Sequence, residues 1–320
     1  MFAYLLLWVQ VLSEMLPISS STQVALLQRL YEWTTGNPVT HIPEGLEYFL
    51  HIPLLIVVPL FFARSWWAMS RILLMRFWRK ERLQSWSTKK LLWIIARLIA
   101  IIVVSGVIAE GVHQGLKLMG NISWFLPFGL MMTAGLLVMA SARNPSTSSG
   151  RAPARTGLAL WHSVVEAVVR VLANIRTARP EAQLLAASRR VSSGLIHSPY
   201  FILYLIGLAQ ACAFLPGISR MGATVCVALL CGLSVRRSLE FSFALQYPLV
   251  VAAVIFKTLP WLLKSDEAAL CITPGFLTQL IIAGIVSYWV LKLAHYLFAT
   301  CRSWIFGVYV IGCAVYLFIS

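Results

Sequence analysis

The sequence predicts an all-α polytopic membrane protein, with six transmembrane helices plus two re-entrant helix pairs arranged as an inverted repeat. Three observations carry this expectation. Of the 320 residues, 59% are hydrophobic and 12% charged, and the mean hydropathy is +0.81, far from the balance of soluble domains. Two small polar clusters broken by proline interrupt the apolar chain, one at the head of each half. They are Ser13-Glu14-Met15-Leu16-Pro17-Ile18-Ser19-Ser20-Ser21 and Phe214-Leu215-Pro216-Gly217-Ile218-Ser219-Arg220-Met221-Gly222-Ala223-Thr224. Such paired interruptions mark binding sites between inverted membrane repeats. Finally, the formal net charge of +15 gathers in a few loops, as the positive-inside bias requires. That bias accounts for the charge, so the expected partners are membrane lipids and no nucleic acid.

Taken in order, residues 1–31 carry too many polar groups for a lipid-facing span, and Pro17 interrupts any helix. They read as two half-helices that enter the membrane and turn back, their broken backbone covered by protein. The apolar run at 3–9 has no basic region ahead of it and soon meets Gln10 and Glu14, which makes a poor signal peptide. Residues 32–45 form a loop, and 46–62 the first full span. The stretch 63–90 holds Arg64, Arg71, Arg76, Arg79, Lys80, Arg82, Lys89 and Lys90 against Glu81 alone and is cytoplasmic by charge. Residues 91–109 cross outward and 122–140 return.

Residues 143–157 have a linker's composition. In 158–175, His162, Glu166, Arg170 and Asn174 recur every four residues, the spacing of an amphipathic helix on the cytoplasmic membrane surface. A second re-entrant pair follows at 200–214 and 223–232, broken at Pro216-Gly217. Spans at 241–263, 276–293 and 304–319 complete the chain. With the first pair opening outward and the second inward, the loops at 63–90, 142–199, 233–238 and 292–303 are all cytoplasmic and all net basic. The organisation is therefore 1–142 as first repeat, 143–197 as a basic insert, and 198–320 as second repeat. The six cysteines (Cys212, Cys226, Cys231, Cys271, Cys301, Cys313) form no C-x-x-C pair and read as small hydrophobes.

Any one of Ser19, Ser20 and Ser21 reads equally well as a helix N-cap or as a ligand contact. Glu14 is more telling, because a carboxylate inside a membrane needs a partner or a metal. Arg220, bounded by Gly217 and Gly222, suits a phosphate or carboxylate held bidentately. Hydroxyls, a carboxylate and an arginine between two half-helix pairs suggest phosphate chemistry on a lipid.

These residues resemble a known family. Glu14-Met15-Leu16-Pro17-Ile18-Ser19-Ser20-Ser21 is similar to the E-F-L-P-[IV]-S-S-[ST] motif of bacterial undecaprenyl-diphosphate phosphatases of the BacA type. Gly207-Leu208-Ala209-Gln210 followed by Leu215 to Thr224 resembles the family's second motif, P-G-x-S-R-S-G-A-T, and Glu240-Phe241-Ser242-Phe243 its E-F-S-F stretch. The resemblance implies hydrolysis of a C55 polyprenyl diphosphate to the monophosphate in the bacterial inner membrane, recycling the lipid carrier of peptidoglycan synthesis. It implies that Gln10 and Glu14 help hold a divalent cation, Mg²⁺ or Ca²⁺, with proton transfer as a further role of Glu14. Ser20 falls at the nucleophile or phosphate-contacting serine, and Arg220 at the diphosphate clamp. Substrate contacts fall to Gln10, Ser19, Ser21, Gln23, Gly217, Ser219, Gly222 and Thr224.

Two positions depart from the family pattern. Met221 stands where the family has serine. Gln23 stands where it has a histidine thought catalytic, and glutamine cannot serve as acid or base. In Glu47-Tyr48-Phe49-Leu50-His51, His51 occupies a place usually held by glutamine. Either the imidazole has moved to His51, or His51 is an interfacial or internally bonded histidine. Loss of the family histidine also leaves open a non-hydrolytic polyprenyl-phosphate carrier or flippase. A homodimer is compatible with the sequence.

Overall fold

The computed structural model describes residues 2–36, 44–67, 125–142, 199–264 and 273–319, with scattered positions between 42 and 115 and at 268. All regular structure among them is helical. The first half holds α1 (Phe2–Ser13), α2 (Ser20–Thr35), α3 (Glu44–Phe49), α4 (Ile52–Phe61) and α5 (Phe125–Ser141). The second holds α6 (Pro199–Cys212), α7 (Arg220–Leu230), α8 (Val235–Ala253), α9 (Leu259–Lys264), α10 (Pro274–Ala299) and α11 (Trp304–Ile319). A π-helical turn, Val254–Thr258, joins α8 to α9. The span expected at 91–109 falls mostly, and the surface helix at 158–175 wholly, outside the described residues.

Both expected breaks are present. α1 and α2 flank a turn at 14–19 around Pro17, and α6 and α7 flank one at 213–219 around Pro216-Gly217. Three boundaries differ from the expectation, each for a local reason. The loop expected at 32–45 begins late, because α2 continues to Thr35 and is closed by Gly36 at φ 69, a conformation glycine adopts without a Cβ penalty. The expected span at 46–62 is two helices, interrupted at Leu50-His51. Pro53 lacks the N–H that would bond the carbonyl four residues back, so the ladder restarts with Leu54 N donating to His51 O at 3.0 Å. The span expected at 241–263 starts earlier, at Val235, with Ser234 as its N-cap. Arg236 and Arg237 therefore sit on its first turn and not in the preceding loop, since hydropathy marks where a helix becomes apolar and not where it begins.

Two described helical stretches are long and apolar enough to cross a membrane, Val235–Lys264 (30 residues) and Pro274–Ala299 (26 residues). At 1.5 Å per residue each exceeds the roughly 30 Å hydrocarbon layer. On α10 the buried positions Phe276, Leu280, Ala283, Ser287, Leu291, Ala294 and Phe298 form one stripe at helical spacing. Its other faces expose Ile281, Ile285 and Trp289, so the helix is apolar all round, as contact with lipid demands. Among the described residues the protein is all-helical, with the apolar helices of a membrane protein.

The main core joins both halves: Leu54, Val58 and Phe62 pack with Leu130, Leu137, Val225, Phe243, Leu291 and Val310. Met15 and Met221 are buried in the same cluster, and each is the chain neighbour of a polar residue from a break, Glu14 and Arg220. Burying the methionines pins both breaks to one core and turns their polar neighbours toward each other. Cys226 and Cys313 are buried too, whereas Cys212 at the end of α6 is exposed.

Candidate active site

The breaks enclose a cavity of about 190 Å³, lined from the first by Gln10, Ser13, Glu14, Ser19, Ser20 and Ser21 and from the second by Phe214, Pro216, Ser219 and Arg220. Glu47, Tyr48 and His51 of the α3–α4 junction and Gln246 of α8 complete the wall. α2 begins at Ser20 and α7 at Arg220, so the first turns of two helices border the same space. The N–H groups there that capping does not use favour a negative ligand.

Glu14 is the hub. Its Oε1 accepts from Ser20 Oγ at 2.6 Å and lies 3.1 Å from His51 Nε2, while Oε2 accepts from Gln246 Nε2 at 3.1 Å. His51 Nδ1 lies 2.9 Å from the Glu47 carbonyl oxygen. A carbonyl only accepts, so Nδ1 carries a hydrogen. The Nε2–Oε1 contact then holds a second proton between imidazole and carboxylate, and the two side chains, each 6% exposed, form a buried pair. Three donors on one carboxylate satisfy a group that would otherwise be costly to bury.

Arg220 stands across the cavity, its guanidinium 5.5 Å from the centre of the Phe214 ring, a cation–π distance. Among the described residues no carboxylate is paired with the guanidinium within 4 Å. The second break that carries it is held tightly. Ser219 caps α7 by accepting from Gly222 N at 3.1 Å. Its own N–H donates to Thr133 Oγ of α5 at 3.0 Å.

Not every residue singled out in the sequence reaches this space. Gln10, Glu14, Ser19, Ser20, Ser21, His51, Ser219 and Arg220 line it. Gln23 lies behind the first break, donating to the Ile18 carbonyl at 3.1 Å and accepting from Tyr309 Oη at 2.6 Å. Thr224 is turned toward Ser242 Oγ, 2.6 Å away, and donates to the Arg220 carbonyl at 2.7 Å. Gly217 and Gly222 pack instead against α5, at Leu126 and Thr133. Conversely, the sequence reading passed over Gln246, Tyr48, Thr133 and Tyr309. Gln246 had a usable signal, being an amide within the apolar run of a full span.

Among the described residues no group of three or more His, Cys, Asp or Glu gathers as a metal cluster. The donors at the cavity nevertheless suit a hard cation. They are oxygens, and Gln10 Oε1 is buried without a hydrogen-bond partner. Mg²⁺ in particular is commonly held by one or two carboxylates with substrate phosphates completing its shell.

The chain is similar to several known proteins. An "Undecaprenyl-diphosphatase" of Methanobrevibacter smithii is 35% identical over 113 residues, covering 34% of this chain and 41% of that protein. A protein of the same name from Elusimicrobium minutum is 27% identical over 257 residues, 80% of this chain and 74% of its own length. One from Sulfurimonas denitrificans is 38% identical over 119 residues, 36% of this chain and 45% of the relative. The chain thus matches less than half the length of the first and third and about three quarters of the second. The model of the family described as "Bacitracin resistance protein BacA" matches residues 3–316, nearly the whole chain, and the protein belongs to that family.

Proposed function

We propose that the protein hydrolyses a polyprenyl diphosphate, undecaprenyl diphosphate by the name its relatives carry, to the monophosphate and inorganic phosphate. The observation that carries this is the convergence of Ser20, Glu14 and His51 from one half and Arg220 from the other on a single cavity. The Ser20 hydroxyl hydrogen points at Glu14 Oε1, the arrangement of a nucleophile beside its base. Ser20 Oγ attacks the terminal phosphorus while its proton passes to the Glu14–His51 pair. The bond from that phosphorus to the bridging oxygen breaks, and the polyprenyl monophosphate leaves. Water then cleaves the seryl phosphate, releasing inorganic phosphate and restoring the hydroxyl. Arg220 stabilises the charge on the phosphoryl oxygens throughout.

His51 takes the place of the imidazole that Gln23 cannot supply, and Gln23 serves as a tether to α11. Gln10 and Glu14 would hold Mg²⁺ or Ca²⁺, which when bound would neutralise phosphate charge. In the bilayer of the bacterial inner membrane, the two broken helix pairs are re-entrant, six spans surround them in an inverted repeat, and the cavity opens to the outer face. The same scheme accommodates a homodimer.

The deciding experiment is phosphate release from undecaprenyl diphosphate by the purified protein in detergent, with Mg²⁺, with Ca²⁺ and with chelator, beside His51→Ala. Metal-dependent release that falls sharply in the variant supports the assignment. Full activity in His51→Ala removes that residue from the chemistry. No release from a folded, lipid-binding preparation overturns hydrolysis and moves the carrier reading to first place.

A further inference from the structure

Leu50-His51-Ile52-Pro53-Leu54 and Leu245-Gln246-Tyr247-Pro248-Leu249 share the pattern Leu-polar-x-Pro-Leu, and each follows a Leu-Glu pair, Leu46-Glu47 and Leu239-Glu240. The two segments occupy corresponding places in the halves, on the first long helical stretch after each broken pair. His51 and Gln246 are 5% and 4% exposed, and both end on the same carboxylate. One reaches Glu14 Oε1 and the other Oε2, each at 3.1 Å. A carboxylate oxygen can only accept, so the Gln246 amide must present its NH₂ group.

Held at one oxygen alone, a carboxylate can swing about its last bond. Held at both from opposite sides, it cannot. We propose that Gln246 is a positioning residue of this site: with His51, its counterpart in the first half, it clamps Glu14 so that Oε1 stays on the Ser20 hydroxyl. The polar group of each segment lies two residues before its proline, and the pair converges on a residue that belongs to only one half. A matched pair of scaffold positions thus serves a single reactive carboxylate.

The inference deepens the phosphatase reading and rests on it for its kinetic test. Gln246→Leu keeps the volume and removes the donor; it lowers kcat for phosphate release by about 10–100-fold, with KM within about twofold. Gln246→His restores a donor of the kind the other half uses and returns kcat to within a few-fold of the parent. A folded Gln246→Leu with unchanged kcat overturns the clamp. So does a rise in KM at constant kcat, which would put Gln246 on the substrate. So does a folded Gln246→His as poor as the leucine variant.

A second measurement is independent of turnover. In a double-mutant cycle of melting temperatures, Glu14→Leu and Gln246→Leu each remove the shared interaction, so the double variant loses less than the sum of the singles. Additive losses would contradict the clamp. An inactive parent that still shows this coupling would sink hydrolysis while leaving the clamp standing.

Discussion

The two breaks share a sequence pattern and reach it with different backbones. In the second, Leu215-Pro216-Gly217-Ile218-Ser219, glycine takes the left-handed conformation at φ 89, and Ser219 at φ −74 forms an ordinary N-cap on Gly222 N. In the first, Leu16-Pro17-Ile18-Ser19, no glycine is present and Ser19 itself sits at φ 57. That region costs an L-residue about 1–2 kcal/mol. Ser19 makes no side-chain cap to the backbone; its hydroxyl accepts from Thr22 Oγ at 3.1 Å and meets Ser21 Oγ at 3.3 Å. The second break is also set against α5. A Cβ on Gly217 would stand 2.2 Å from the Leu126 carbonyl oxygen, and one on Gly129 equally close to that of Pro216. The relaxed, welded break presents the cation, and the strained break presents the Ser20 hydroxyl, the proposed nucleophile. Fixed charge and reactive group are thus supported in opposite ways, and backbone strain sits beside the chemistry, where such strain is commonly kept.

The largest expected effects come from removing what each break presents. On the proposed mechanism, Ser20→Ala lowers kcat on the order of 10³-fold or more with substrate affinity little changed, because the proposed attacking oxygen is gone. Arg220→Ala lowers kcat by a similar order and also weakens binding, because the guanidinium meets the phosphate before and during reaction. Phosphate-release kinetics separate the two. Equal KM changes in both variants would erase the division of labour between the breaks.

Next in size is Gly217→Ala. The added methyl meets backbone, which cannot swing aside, and alanine must also adopt a positive φ. Together these cost roughly 2–5 kcal/mol, read as a lowered melting temperature in detergent. A variant that melts with the parent would show that α5 and the second break are less tightly joined than their geometry implies.

How much of this was legible beforehand follows the range of the forces involved. The breaks were readable because Pro17, Pro216 and Gly217 act on their own backbone, and Glu14, Ser20 and Arg220 stood out as polar groups in apolar sequence. In the sequence the interruption before Pro53 reads only as a softening of the span, because a proline inside an apolar run can be either a soft spot or a helix start. The start of α8 was misplaced because Arg236, Arg237 and Glu240 form helix well and apolar span poorly. What local pattern could not give were partners set by packing across the chain. Gln246 reaches Glu14, Tyr309 reaches Gln23, and Thr133 reaches the backbone of Ser219. Gln23 shows the same: resemblance puts it among the substrate contacts, while its side chain donates to Ile18 and accepts from Tyr309.

The Gln23 contact is itself a test. Gln23→Leu breaks both hydrogen bonds and strands the Tyr309 hydroxyl, lowering stability by about 1–3 kcal/mol. Because the amide does not border the cavity, KM should stay within about twofold. A large KM rise in a stably folded variant would return Gln23 to the substrate.

The smallest effect is the most direct probe of the strain difference. Ser19→Gly relieves about 1–2 kcal/mol of backbone strain and gives up two hydroxyl contacts worth about 0.5–1.5 kcal/mol each, so the melting temperature should hardly move. Ser219→Gly has no strain to relieve at φ −74. It loses the cap and gains only unfolded-chain freedom, so it should melt lower than its counterpart. The sign of the difference between two identical substitutions carries the result, which cancels errors common to both. If Ser19→Gly were as damaging as Ser219→Gly, the positive φ at Ser19 would store no appreciable energy. The two breaks would then differ in shape alone.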